Sequence, residues 1–168
     1  EYLSRVSPHI RAQNGFIDKY IGDGIMALFP APADNAIKAA VAMQEEVTRF
    51  NVDRQKQQQQ SIGIGVGLHT GSVMLGTVGE VARMEGTVIS DAVNLSARLE
   101  GLTKIYAVST VVSEQTLCSL DDPDQYNYRF LDKVQVKGKH EAISVFEIFD
   151  GNPPEVVALK LATRTDFE

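Results

Sequence analysis

The sequence is poor in residues that mark several common protein classes. It contains one cysteine, Cys118, which excludes an internal disulfide and fits a reducing compartment. Its three histidines, His9, His69 and His140, are scattered and lack the spacing of zinc ligands. No apolar run approaches the roughly 18 residues that a membrane helix needs. We therefore expect a cytoplasmic location and no membrane contact from this chain.

Several nucleotide and hydrolase motifs are also missing. Gly65 and Gly67 are followed by Thr70 where a GxGxxG loop needs its third glycine, and no GxxxxGK[ST] occurs. Residues 71–75 (GSVML) do not fit the GxSxG pattern of serine hydrolases. No arrangement of histidine and cysteine indicates a thiol nucleophile. The classes that these motifs mark lose most of their support.

Length and composition indicate one soluble globular domain. The chain has 168 residues, of which 43% are hydrophobic and 23% charged. Sixteen basic residues against 22 acidic ones give a net charge of −6. A negative surface repels phosphate backbones, so we expect no nucleic-acid partner. Because the first residue is Glu1 and not Met, we expect the chain to be a piece of a longer protein.

The spacing of apolar residues predicts an α+β fold. Two apolar runs flank a Gly-Asp-Gly tip, which predicts a β-hairpin over 16–21 and 25–29. Glycine alternates with branched residues over 62–71, which predicts a strand whose glycine face lies against a helix or another backbone. Because strands and helices mix without strict alternation, we predict a sheet covered by helices and not a doubly wound parallel fold.

The remaining predicted elements follow from periodicity and capping residues. They are a first helix with Tyr2, Val6 and Ile10 on one face, a long helix capped by Asp34 or Asn35, a strand or short helix over 72–78, a strand over 83–88, a helix from about Ala92 to Leu102 capped by Ser90 or Asp91, a strand over 107–109, a helix over 114–120, and strands over 126–136 and 143–149. We expect one domain over 1–150 and a loosely held tail over 151–168.

Asn94 and Arg98 form a polar pair on the predicted helix. They are four residues apart and therefore share one helix face, while neighbouring Val93 and Ala97 can turn toward the core. An amide and a guanidinium that project together can hold a hydroxyl and a phosphate oxygen. The alternative is a solvated polar face, and spacing alone favours it.

Two further polar features have the same double interpretation. Asp23 stands at the hairpin tip, where aspartate is also common for backbone reasons. Lys137 and Lys139 flank Gly138 and would ordinarily belong to a solvated hairpin.

Four segments, in order, resemble the class III nucleotidyl cyclases. Residues 16–29 (FIDKYIGDGIMALF) resemble the family's metal-binding hairpin, and 67–71 (GLHTG) with 76–79 (GTVG) resemble its glycine-rich core strand and continuation. Residues 86–100 (GTVISDAVNLSARLE) resemble its signature helix, and 136–139 (VKGK) resemble its late strand turn. The match runs from about Gly15 to Phe149, nearly the whole chain.

The resemblance implies a ferredoxin-like, mixed and mostly antiparallel sheet with covering helices. It also implies conversion of ATP into 3′,5′-cyclic AMP and pyrophosphate, or of GTP into cyclic GMP, by in-line attack of the ribose 3′-hydroxyl on the α-phosphorus. Two divalent metals, Mg²⁺ or Mn²⁺, neutralise phosphate charge in such a step and make the hydroxyl more acidic.

The resemblance carries roles onto particular residues. Asp23 would be one of two metal-bridging aspartates, Asn94 would orient the ribose, and Arg98 would stabilise the α-phosphate. Lys137 would hold the terminal phosphates. The site would lie at the interface of a head-to-tail homodimer, in which one protomer supplies the metal aspartates and the other supplies the remaining residues.

Lys19 and Thr87 would bind the base, and Val88 would also bind the substrate. Adenine presents an acceptor at N1 and a donor at its amino group, which match the ammonium of Lys19 and the hydroxyl of Thr87, whereas guanine presents the reverse. Family guanylyl cyclases typically carry glutamate at the Lys19 position. Threonine at position 87 resembles the subgroup of bicarbonate-responsive soluble cyclases, which makes bicarbonate a candidate ligand.

The chain departs from the family pattern in two places. It begins after the strand that carries the other metal aspartate, so the N-terminal strand is missing and we expect the chain alone to be inactive. Gly65 stands where some relatives carry an arginine that reaches the phosphates. The alternative is a catalytically inactive, cyclase-like dimerisation or regulatory module. A relative of diguanylate cyclases is weaker, because the turn reads Gly22-Asp23-Gly24.

Overall fold

The computed structural model describes residues 1–30, 32–80, 83–135 and 142–164, with only the backbone described at 75, 77–80 and 83–89. The elements are α1 (Tyr2–Ala12), β1 (Phe16–Ile21), β2 (Gly24–Leu28), α2 (Ala33–Lys56), β3 (Val66–Leu68), β4 (Met74–Glu80), β5 (Arg83–Ile89), α3 (Asp91–Tyr106), β6 (Thr110–Ser113), α4 (Glu114–Leu117), a 3₁₀ turn (Pro123–Gln125), β7 (Tyr128–Gln135), β8 (Ala142–Ile148) and α5 (Pro154–Ala162). None of the helices in these ranges combines the length and the hydropathy needed to cross a membrane.

A four-stranded sheet in the order β3-β6-β8-β7 forms the centre of the fold. β3 and β6 run parallel, whereas β6–β8 and β7–β8 are antiparallel. The pairs β1–β2 and β4–β5 form two separate antiparallel ribbons. The predicted α+β class, with a mixed and mostly antiparallel sheet, is therefore confirmed.

The core lies on both faces of this sheet, and β6 shows why. Its neighbouring residues Val111 and Val112 are fully buried and point to opposite faces, because side chains alternate along a strand. Val111 packs with Leu95 and Leu99 of α3, and Val112 packs with Ile37 of α2. The two helices therefore cover opposite faces of the sheet.

Two glycines allow α3 to approach β3 closely. A Cβ on Gly67 would collide with the backbone nitrogen of Glu100 and the backbone oxygen of Ser96, and a Cβ on Gly65 would collide with the hydroxyl of Thr103. The prediction that the glycine face lies against a helix is confirmed. The strand itself is shorter than the predicted 62–71, since β3 covers only Val66–Leu68.

We expect Gly67→Ala to destabilise the domain by about 1–3 kcal/mol, because the new methyl group meets helix backbone that cannot rotate away. Gly101→Ala is the matched control, because Gly101 lies inside α3 and a methyl group added there would have open space around it. We expect the control to stabilise by about 0.5–1 kcal/mol. Urea unfolding of both variants tests this, and equal midpoints for Gly67→Ala and wild type would contradict the packing argument.

Asp34 does not cap α2, contrary to the prediction. The helix begins at Ala33 after Pro32, and no side chain caps it. The Asp34 carboxylate is instead buried and accepts hydrogen bonds from the Tyr126 hydroxyl at 3.1 Å and the Gln125 amide at 3.2 Å. Burial, together with this hydrogen bond, raises the pKa of Tyr126 far above its usual value. Asp34 therefore joins α2 to the segment before β7.

The predictions around α3 were right at its start and wrong at its end. Ser90 caps the helix as expected, accepting a hydrogen bond from the Ala92 nitrogen at 3.0 Å. The helix continues through Gly101 to Tyr106 and ends where Ala107 adopts a left-handed conformation with φ 53°. The strand predicted at 107–109 lies instead at Thr110–Ser113.

The C-terminal segment that we expected to be a loosely held tail contains a helix. Residues Pro154–Ala162 form α5, and the ammonium of Lys160 contacts the carboxylate of Glu147. Glu147 is completely buried and also pairs with the guanidinium of Arg129 at 2.7 Å. A buried carboxylate needs such partners. The division into a domain over 1–150 and a tail stays a prediction.

Candidate functional site

The hairpin β1–β2 presents Asp23 to solvent at its tip. The strands pair from Phe16 with Leu28 to Ile21 with Gly24, as the sequence predicts. Gly22 supplies the positive φ of 62° that the tight turn needs. Asp23 is exposed, so its carboxylate oxygens are available to a hard divalent cation.

Tyr2 lies close enough to Asp23 to respond to its charge. Partial burial raises the pKa of the Tyr2 hydroxyl, and the negative charge of Asp23 raises it further. The charge of Asp23 therefore acts on the first residue of α1. The sequence does not predict this interaction, because nothing in the spacing relates a helix start to a turn some twenty residues later.

Lys19 lies on the same hairpin, half-exposed, beside an acidic partner. Its ammonium is 3.3 Å from Oδ2 of Asp18, whose side chain is only 13% exposed. The pairing of β1 with β2 shifts register between Ile17 and Lys19. Asp18 was also missed by sequence reasoning, since a bulge has no signature in this run of residues.

Asn94 and Arg98 lie on the exposed face of α3, as their spacing predicts. The buried face is formed by Leu95 and Leu99, and not by Val93 and Ala97; Ala97 is exposed. Within the described part of the chain, no ion pair engages Arg98. Its guanidinium therefore remains available to an anionic ligand.

The predicted base contacts are only partly described. Thr87 and Val88 lie in β5, where their backbones pair with Gly76 and Leu75 of β4, just before α3 begins. Their side chains lie outside what the structure describes. Lys137 lies outside the described residues altogether.

Asp23 and Arg98 lie on different elements of one chain. The hairpin has α1 as its main neighbour, whereas α3 packs on β3 and β6. Over the described ranges, no cluster of three or more His, Cys, Asp or Glu side chains could hold a metal ion. Asp23 can supply one metal ligand, and a complete site needs further ligands.

The comparison with protein-family models decides the family. Residues 13–148 match the adenylate and guanylate cyclase catalytic domain. The chain belongs to this family. The cyclase match covers β1 through β8, and so includes Asp23, Lys19, Asn94 and Arg98.

Two curated cyclases illustrate the similarity. The chain is 44% identical over 154 residues to an adenylate cyclase of Anabaena cylindrica, covering 88% of this chain and 31% of that protein. It is 38% identical over 166 residues to the terminal-differentiation specific adenylate cyclase of Dictyostelium discoideum, covering 95% of this chain and 8% of that protein. The chain therefore spans about a third or less of these cyclases.

Solved cyclase structures share the fold. The guanylyl cyclase Cya2 superposes with a TM-score of 0.73 at 28% identity, covering 88% of this chain and 76% of that one. The adenylyl cyclase CyaB from P. aeruginosa gives a TM-score of 0.69 at 26% identity, covering 88% and 78%. The cyclase fold predicted from the motifs is thus confirmed.

Proposed function

We propose that this chain is an adenylyl cyclase catalytic domain that converts ATP into 3′,5′-cyclic AMP and pyrophosphate. The observation that carries the proposal is the hairpin, which presents an exposed carboxylate, Asp23, and an accessible ammonium, Lys19, on one element. In the proposed dimer they serve different sites, Asp23 as a metal ligand in one and Lys19 as the group that recognises adenine in the other. The names of the relatives from Anabaena and Dictyostelium support the same activity.

In this proposal the exposed side chains of α3 act on the reacting phosphate. Arg98 donates hydrogen bonds to an oxygen of the α-phosphate as negative charge develops there, and Asn94 orients the ribose. A divalent metal held at Asp23 would neutralise phosphate charge and make the 3′-hydroxyl more acidic. Lys137 would hold the terminal phosphates.

We further propose that the catalytic unit is a head-to-tail homodimer. The hairpin and α3 pack on different neighbours within one chain, so two copies can place Asp23 of one protomer opposite Arg98 of the other. A symmetric pair then contains two equivalent sites. Val88 would bind the substrate beside Thr87. Bicarbonate stimulation, implied by threonine at position 87, and a cytoplasmic location stay predictions.

The pair Lys19 and Thr87 predicts the choice of base. We expect Lys19→Glu combined with Thr87→Cys to lower the ratio of kcat/KM for ATP to that for GTP by about a hundredfold, about tenfold for each contact that now mismatches adenine. Steady-state kinetics with both nucleotides measure the ratio. Lys56→Glu, an exposed change on α2, serves as the charge control and leaves the ratio unchanged. An unchanged ratio in the double variant would remove the base-recognition argument.

A catalytically inactive regulatory module is the second candidate. It is favoured by the finding that, among the described residues, Asp23 has no surrounding cluster of metal-ligating side chains. The two candidates separate in one experiment: the full-length protein is incubated with ATP and Mn²⁺, and cyclic AMP is measured. Product formation supports the enzyme, and a protein that is folded but forms no product with either ATP or GTP supports the module.

A further inference from the structure

We propose that Asp18 is a positioning residue for Lys19 and, through it, a determinant of the choice of adenine. This inference rests on the proposed function, because it takes Lys19 as the group that recognises the adenine base. It adds a residue that neither the motifs nor the family match assigns a role.

A β-bulge is the first observation. Ile17 pairs with Ala27 and Lys19 pairs with Met26, so two steps along β1 match one step along β2, and Asp18 is the extra residue. Consecutive side chains of a regular strand point to opposite faces. A bulge re-aims a side chain locally. Here it allows the carboxylate of Asp18 and the ammonium of Lys19 to approach to 3.3 Å.

The two side chains of this contact differ in burial. The Asp18 side chain is 13% exposed, whereas the Lys19 side chain is 41% exposed. Oδ2 of Asp18 is buried and accepts no hydrogen bond from any described residue. A buried carboxylate oxygen without a partner is costly, and the ammonium of Lys19 is the cation within reach of it. The more buried acid therefore holds the more exposed amine.

The contact leaves Lys19 able to bind a ligand. The separation of 3.3 Å is within ion-pairing distance, but the angles do not make it a hydrogen bond, so the attraction is Coulombic and not tied to one N–H direction. An ammonium has three donors, and they remain free to turn toward an acceptor such as adenine N1. Asp18 thus restricts where the amine lies without occupying its hydrogen-bonding capacity.

The next residue along β1 anchors this arrangement. The Tyr20 hydroxyl is 3.2 Å from the hydroxyl of Ser7, which is buried in α1. The strand is therefore tied to a helix one residue after Lys19. A tether this close limits how far the bulge can move, so the position of Asp18 is set by the fold and not by the ligand.

Asp18→Asn tests the proposal, because the amide keeps the shape and removes the charge. In the full-length protein, we expect KM for ATP to rise about tenfold with kcat within about twofold, and the kinetics with GTP to stay unchanged. We expect Asp18→Glu, which keeps the charge, to retain much of the affinity for ATP that Asp18→Asn loses. Glu45→Gln removes the carboxylate of an exposed ion pair on α2 and serves as the matched control, with no change in either nucleotide's kinetics.

An ATP analogue separates positioning from simple support of the fold. 1-Deaza-ATP lacks the N1 acceptor, so wild-type protein binds it more weakly than ATP. If Asp18 acts through Lys19, that penalty shrinks in Asp18→Asn. In one contrary result, Asp18→Asn weakens the binding of ATP, GTP and 1-deaza-ATP equally; in another, it binds 1-deaza-ATP more weakly than ATP by the same factor as wild type does. Either result would mean that Asp18 only supports the hairpin, and would overturn the proposal.

A second readout does not depend on activity. NMR relaxation of the Lys19 side chain reports how restricted the ammonium is, and we expect Asp18→Asn to increase its mobility while Asp18→Glu does not. Unchanged mobility in Asp18→Asn would overturn the inference even in an active enzyme. If the amine is released in the variant but the wild-type protein does not cyclise ATP, the proposed function fails and the positioning of Lys19 by Asp18 still holds.

Discussion

We expect replacement of Asp23 with alanine to reduce cyclic AMP formation by about a thousandfold or more, the size of effect that follows when a metal that stabilises transition-state charge is lost. The reason is that Asp23 is exposed at a turn, where its carboxylate does not support the core, and the proposed function makes it a metal ligand. The measurement is cyclic AMP produced from ATP with Mn²⁺ by the full-length protein.

The same variant separates a binding role from a structural one. Because Asp23 is exposed, we expect the thermal midpoint of Asp23→Ala to match that of wild type, while Mn²⁺ titration shows weaker binding. Asp124→Ala, which changes another exposed turn aspartate, is the control and keeps full activity. Substantial activity in Asp23→Ala would remove Asp23 from the metal site.

We expect replacement of Arg98 with alanine to lower kcat by about a hundredfold to a thousandfold, the loss typical of removing one preorganised donor to a developing oxyanion. Arg98 is exposed on α3 one turn after Asn94, so the change leaves the helix and its buried leucines in place. Arg98→Lys recovers only part of the rate, because an ammonium cannot make the two parallel contacts of a guanidinium. Arg49→Ala, an exposed arginine of α2, is the control and leaves kcat unchanged.

Mixing the two inactive variants tests the shared site directly. If Asp23 of one protomer works with Arg98 of the other, half of the randomly formed dimers are mixed, and one of the two sites in each is intact. The mixture therefore recovers about a quarter of the wild-type activity. No recovery, in a mixture shown to exchange subunits, would place both residues in one protomer's site and contradict the composite arrangement.

Local patterns were sufficient for much of the candidate site. The hairpin follows from two apolar runs around Gly22-Asp23-Gly24, because few conformations besides a tight turn suit that tip. The shared exposed face of Asn94 and Arg98 follows from helical periodicity. Both depend on neighbours within a few residues, so both could be predicted.

Longer-range features could not be predicted from local patterns. Asp34 stands where the sequence predicts a helix cap, but its buried carboxylate accepts a hydrogen bond from Tyr126, which lies far along the chain. The C-terminal segment has two prolines, from which we predicted a loose tail, yet it contains α5, whose Lys160 reaches Glu147 in β8. In each case the partner that decides the structure is distant in sequence.

The sequence by itself determined the family, the α+β class and the identity of the chemical groups, because motifs, periodicity and side-chain chemistry are local properties. Only the tertiary structure decided which groups meet. It placed the Asp18 carboxylate beside the Lys19 ammonium through a bulge, and it packed the hairpin against α1, and α3 against β3 and β6. A register shift and a packing partner depend on contacts across the whole chain, and no short run of residues encodes them.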